Sequence, residues 1–430
     1  MTISRRNFLA GSGAAALAGA IGIRPALGAS GAATRPRFLV QFFLRGGFDA
    51  ILTTDPKLRD QIEPGVDLPY DAKQILDLGT HRIGPCFAQL REEVPAMAIV
   101  NAIDHGTVAH DYGLNNIVHM RRSYPVHHEL GIGLAGHLGD LLSETPLNEA
   151  WLIASPAGFP SFFPARKGLV MQDFQSADET LVARLSKVAN GNGELASRVL
   201  GGELAACDAS RTDCTSLKVV RDVLDRMSGI ALPDPPTLTI ALDSTTNADL
   251  AQKAASVWCN VARDSAYLLK NDLTRTIYCA VPHAAFDTHQ NNLPGQRRSC
   301  LVFAEGLKVF FEVLRRTSTK DGRSLFDQTG FVISSELGRN PFLNSAAGKD
   351  HFPHHPVIFM GCGIQPGQYG HTDRTMGGLP ISAETGKATA SHTTMLPNLD
   401  DVGATIFRWF GMDPLAAGYT GRPLEFVFRR

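Results

Sequence analysis

Asp287-Thr288-His289 sets a carboxylate and an imidazole two residues apart, directly after the apolar run Thr276-Ile277-Tyr278-Cys279-Ala280-Val281. Side chains two apart on extended backbone point to the same side, so one short segment offers both groups together. Glu336 closes the next apolar run, Gly330 to Ser335, and Asp350-His351 follows a loop later. Asp49 closes an earlier run, behind Arg45-Gly46-Gly47-Phe48. Mixed carboxylate and imidazole donors suit Zn, Mn or Fe, and Mg or Ca where oxygen dominates. The candidate metal ligands are therefore Asp49, Asp287, His289, Glu336, Asp350 and His351, and the expected cofactor is one or two divalent ions such as Zn, Mn or Ca. Arg45 could grip an anionic ester through its planar fork.

Each of these residues also has a plainer use. Asp49 could cap a following helix, although a buried strand end is a costly place for an unpaired acid. Asp287 and His289 could form a satisfied turn, Glu336 and Arg339 a local ion pair, and Arg45 a structural tie beside the glycine pair. His354, His355 and His371 read as surface loop residues. His119, His127, His128 and His137 have no metal-ligand spacing.

The elements that must position these groups are short apolar runs ending in Gly, Asp, Glu or His. They include Phe38 to Leu44 and Met97 to Asn101, the latter leading to Asp104-His105. Apolar runs without alternation suit strands buried on both faces of a mainly parallel sheet. Between them lie helical patterns, clearest from Leu301 to Arg315. The fold class is α/β, a three-layer α/β/α sandwich spanning 37–430, with a helical insertion at about 178–269. Ligands of open α/β sheets bind beyond the carboxyl ends of the strands, where this chain concentrates its acids and imidazoles.

The amino terminus carries a different kind of signal. Ser4-Arg5-Arg6-Asn7-Phe8-Leu9 precedes an Ala/Gly/Leu/Ile stretch from Ala10 to Ile23, too short and glycine-rich to span a bilayer. This is the pattern of a twin-arginine signal peptide over 1–28, with cleavage after Gly28 and a linker over 29–36. The expected partner during export is the twin-arginine translocase, which carries folded cargo, and the expected location is periplasmic or secreted. The segment holds three of the 41 basic residues and none of the 42 acidic ones, so the mature chain is modestly acidic. Nothing in that balance favours nucleic acid or an anionic membrane. No later apolar run is long enough to cross a bilayer. The seven cysteines form no C-x-x-C pair, which argues against a zinc ribbon, and only Cys207 and Cys214 are close enough in sequence to suggest a short disulfide loop. No nucleotide-binding glycine motif is present.

The motifs together resemble the DUF1501 family, whose members look like alkaline phosphatase and sulfatase-like proteins. They are the paired arginines, Phe43-Leu44-Arg45-Gly46-Gly47-Phe48-Asp49-Ala50, His110-Asp111, Phe286-Asp287-Thr288-His289, Ser335-Glu336-Leu337-Gly338-Arg339 and Asp350-His351. The resemblance implies that Asp49 is the first-strand metal carboxylate, Asp287 and His289 serve one metal, and Glu336 sits where a further carboxylate belongs. It makes His351 the late histidine ligand, with Asp350 ligating or orienting it. Two such metals would clamp the attacking and leaving oxygens of a phosphate or sulfate ester. The chain departs from this pattern in two places. The nucleophile has no plain counterpart, Thr107 being the best candidate, and the usual Asp-His is Glu336-Leu337, which removes one imidazole unless His110 or His105 compensates. Two functions stand at this point: an exported metal-dependent hydrolase of a small anionic ester, or a non-catalytic envelope protein that binds a partner or polymer.

Overall fold

The computed structural model describes residues 35–122, 133–142, 149–153, 169–173, 236–238, 248–280, 285–389 and 394–429. The expected signal segment and cleavage point, most of the expected linker and of the expected insertion, Cys207 and Cys214, and His127 and His128 lie outside the described residues.

The described strands of the main sheet are β1 (Phe38–Phe43), β2 (Met97–Asp104), β3 (Glu149–Ile153), β4 (Leu169–Asp173), β5 (Thr276–Ala280), β6 (Thr329–Ser334), β7 (His354–Met360) and β8 (Gly367–Tyr369). They lie in the order β8-β2-β7-β6-β1-β5-β3-β4. Every neighbouring pair is parallel except those of β7, which runs antiparallel to both β2 and β6. The reversal matters for the site. It brings the start of β7, with His354 opposite Asp104, to the edge where the parallel strands end.

The sequence of β1, FLVQFF, has no polar face, and all six residues are buried. Alternate side chains serve opposite layers. Phe38, Val40 and Phe42 enter a core with Trp258 and Val261 of α3 (Ala248–Lys270) and Phe303 and Phe310 of α4 (Asn292–Arg316). Leu39 and Phe43 enter a second core on the other face. Its helices are α1 (His110–His119), α2 (Leu134–Leu142) and α5 (Leu399–Trp409), through Leu114, Leu138, Val402 and Phe407. The chain is thus an α/β/α sandwich, as the run pattern implies. Among the described residues no helix is long and apolar enough to cross a membrane.

Two elements extend beyond their sequence signal. Helix α4 begins at Asn292, nine residues before its apolar period becomes visible, because Pro294 is tolerated in a first turn and the polar stretch after it lies on the same helix. Strand β7 begins at His354, ahead of the run Val357 to Met360. This corrects the surface reading of His355, which is 1% exposed and stacks on the buried His105 with ring centroids 3.6 Å apart. Cys86, Cys259, Cys279, Cys300 and Cys362 are free thiols.

Candidate metal centre

Four side chains meet beyond the carboxyl ends of β1, β2, β5 and β6. His110 opens α1 and Asp287 and His289 follow β5, while His351 precedes β7 in a two-residue antiparallel ladder with Arg339. One ligand atom from each lies within 4.8 Å of the others. The inner trio is tighter. His289 Nε2 is 2.9 Å from His351 Nε2, and Asp287 Oδ1 is 3.2 Å from the first and 3.4 Å from the second. Donors at about 2.05 Å from one tetrahedral ion stand about 3.3 Å apart. The two Asp287 distances match that spacing, and the two imidazole nitrogens stand somewhat closer.

The far nitrogen of each imidazole faces an acceptor. His351 Nδ1 is 2.7 Å from the Val108 carbonyl, which can only accept, so Nδ1 carries the hydrogen and Nε2 presents its lone pair. His289 Nδ1 stands 3.0 Å from the Asp350 carboxylate, and His110 Nδ1 2.9 Å from that of Glu336. Outer acceptors of this kind fix tautomer and ring direction in metal-binding histidines and make the inner nitrogen a better donor. Asp350 is itself held by Asn344 Nδ2 at 3.1 Å, and Asn344 also donates to the His289 carbonyl.

Glu336 is anchored by the glycine pair after β1. The Gly46 amide donates to both its oxygens, at 2.9 and 3.1 Å, and the Gly47 amide donates to Ser335 Oγ. Only glycine suits Gly46: its φ is +110°, and a Cβ there would stand 2.2 Å from the Asp287 amide nitrogen. The loop therefore lies directly against the ligand segment. Arg339, fully buried, donates to Asp287 Oδ1 at 2.5 Å, to the Gly47 carbonyl and to the Lys349 carbonyl. It does not make the expected ion pair with Glu336, which bonds His110 instead.

The electrostatics follow from this packing. Burial opposes the charge on Asp287, but hydrogen bonds from His110 and His351 and the Arg339 guanidinium hold its carboxyl well below the usual range. Hydrogen bonds to Asp287 and then Glu336 push His110 up to about 9. Asn344 and His289 lower Asp350. A site that keeps a carboxylate ionised and its imidazoles oriented suits a cation.

The sequence candidates are distributed as follows. Asp287, His289 and His351 come together with His110. Asp350 and Glu336 lie behind imidazoles, each bonded to an Nδ1. Asp49 is elsewhere: its Oδ2 accepts from Lys349 Nζ at 2.9 Å and Asn292 Nδ2 at 2.8 Å, and its Oδ1 from the Ile51 amide. Thr107 lies in the loop before α1, its Oγ1 accepting from the Ala109 amide. Arg45 is exposed in the loop after β1, and its carbonyl accepts from the Phe286 amide, next to Asp287. Sequence reasoning missed Lys349, Asn292 and the role of Arg339. The only available signal was Lys349 standing immediately before Asp350-His351.

The model of the DUF1501 family, proteins of unknown function, matches residues 273–427. The match covers about a third of the chain, so over that segment the chain is similar to the DUF1501 family. The matched segment carries Asp287, His289, Glu336, Arg339, Lys349, Asp350 and His351, while Arg45, Asp49, Thr107 and His110 come from outside it. No curated protein matches the chain. Among solved structures it is similar to a protein in the alkaline phosphatase superfamily from Vibrio parahaemolyticus, at 12% identity and TM-score 0.43, covering 92% of this chain and 73% of that one. It is similar to a phosphonate monoester hydrolase from Silicibacter pomeroyi at 12% identity and TM-score 0.41, covering 91% and 76%. It is also similar to a lipoteichoic acid synthase from Listeria monocytogenes at 10% identity and TM-score 0.39, covering 89% and 73%.

Proposed function

We propose that this chain is an exported hydrolase of phosphate or sulfate esters that works with a divalent metal bound by Asp287, His289 and His351. The observation that carries the reading is the inward convergence of two imidazole Nε2 atoms on one carboxylate oxygen, with both outer nitrogens facing acceptors. The donor set of two imidazoles and a carboxylate suits Zn or Mn. The side chains of Asp287 and His289 remain 42% and 43% exposed, so a substrate can reach the ion, as at catalytic rather than closed structural sites. When bound, the metal would supply Lewis-acid polarisation of an ester oxygen and would make a hydroxyl, that of Thr107 or of the water that follows it, acidic enough to react at neutral pH.

The remaining roles fall to the chain itself. His110, bonded through Nδ1 to the buried Glu336 carboxylate, faces Asp287 and is the side chain we assign to donate a proton to the leaving oxygen. The first turn of α1 has no side-chain cap, so its amides add a partial positive charge beside His110. Thr107, two residues before the helix N-cap, is the side chain we assign as the candidate nucleophile, and Arg45 the grip on the ester's outer oxygens. Glu336 and Asp350 orient His110 and His289. The twin-arginine signal assigns the work to the periplasm or exterior.

Elemental analysis of the purified full chain beside His289→Ala, with a screen of nitrophenyl phosphate and sulfate esters, tests the reading. Metal in the wild type, its loss in the variant, and ester turnover abolished by chelator are expected. A folded wild type with no metal, or turnover indifferent to chelator and to His289→Ala, overturns it.

A further inference from the structure

The ion pair at Asp49 bears on how many cations the site takes. Asp49 is 1% exposed and Lys349 fully buried, their Oδ2 and Nζ 2.9 Å apart. Asp67 Oδ2 stands 3.5 Å from the same ammonium, and Asn292 Nδ2 donates to the same Asp49 oxygen. A buried carboxylate needs a partner, and so does a buried ammonium. Both needs are met within the chain. Lys349 is also tied by its backbone to the metal centre: its amide donates to the Thr288 carbonyl, between Asp287 and His289, and its carbonyl accepts from Arg339. The ammonium is therefore delivered to Asp49 by the same segment that delivers His351.

We propose that Lys349 is a built-in cation that occupies the position at Asp49 and Asp67, so that the chain binds one divalent ion, at Asp287, His289 and His351, and no second one. The inference rests on the metal reading above and adds its stoichiometry. Removing the ammonium leaves two carboxylates facing a space of about a lysine chain, an oxygen-rich setting that suits a hard cation such as Mn²⁺. Lysine thereby holds closed a site that the carboxylates alone would open.

The full chain, equilibrated separately with Zn²⁺ and Mn²⁺ and dialysed, is assayed for bound metal beside Lys349→Ala, Asp49→Asn, His289→Ala and the double variant Lys349→Ala/Asp49→Asn, with circular dichroism as the check on folding. The wild type is expected to hold one equivalent, Asp49→Asn one, and Lys349→Ala a second equivalent of Mn²⁺ that the double variant loses. Two equivalents in the wild type, an equivalent lost in Asp49→Asn, or a folded Lys349→Ala that stays at one overturns the inference while leaving the metal centre standing. A wild type with no metal overturns the centre and the inference together. Should Lys349→Ala not fold, the wild-type and Asp49→Asn counts decide.

Discussion

The Nε2 atoms of His289 and His351 face each other across 2.9 Å, while the Nδ1 of each ring faces its own acceptor, the Asp350 carboxylate and the Val108 carbonyl. Two lone pairs at that distance repel unless something positive lies between them. A shared proton or a metal would supply it, and Asp287 Oδ1, within 3.4 Å of both nitrogens, adds the anionic oxygen that a divalent ion takes as a third donor. A ligand that binds only the folded chain stabilises it, by about 2.7 kcal/mol at a hundredfold excess over Kd. Zn²⁺ or Mn²⁺ should therefore raise the unfolding temperature, chelator should lower it, and His289→Ala should respond to neither. Equal melting of wild type with and without chelator would contradict the assignment.

Asp350→Asn tests the outer support alone. The Asp350 side chain is 61% exposed, so the change leaves the core untouched, but it removes the carboxylate facing His289 Nδ1. Loss of such an outer partner weakens metal affinity about 10–100-fold. Metal titration should show that loss with no more than a small change in unfolding midpoint. An affinity within twofold of the wild type would mean that Asp350 does not support the ligand.

The layers were readable because β1 and its neighbours are apolar without alternation, which only a sheet covered on both faces permits. Asp287 and His289 were readable because their spacing and their position after a strand coincide. Asp49 read as a ligand on the cost of burying an unpaired acid, and that cost is real; the sequence does not reveal that Lys349, 300 residues away, meets it. His355 read as surface because histidine usually is, yet the antiparallel entry of β7 buries it against His105. What was illegible is pairing between distant segments, since no single stretch of chain encodes which charge will face which.

His110 predicts a pH dependence in the metal-free protein. Its folded value, about 9, lies above the ordinary 6.5, so its bonds to Asp287 and Glu336 stabilise the fold fully below pH 6.5 and are lost as pH rises through 9. In chelator, the margin in unfolding temperature between wild type and His110→Gln should shrink between those values. A margin that stays constant from pH 6 to 9.5 would show that His110 does not carry the raised charge.

Two glycines separate damage to the site from damage to the fold. A Cβ on Gly306 of α4 would stand 2.1 Å from the Trp258 ring, deep in the core that also holds Phe42 and Phe303. Overpacking of this kind costs about 1–3 kcal/mol. Gly306→Ala should lower the denaturant midpoint accordingly while its folded form binds metal with wild-type affinity, since α4 bonds the segment around Asp287 through Asn292, Gln296 and Ser299, about two turns or more before Gly306. Gly46→Ala also costs stability, because of its left-handed φ, but its Cβ would push on the Asp287 backbone. Metal affinity should therefore fall in Gly46→Ala and hold in Gly306→Ala when both are titrated under conditions where each is folded. The reverse pattern, or equal loss in both, would mean that the glycine loop does not set the position of Asp287.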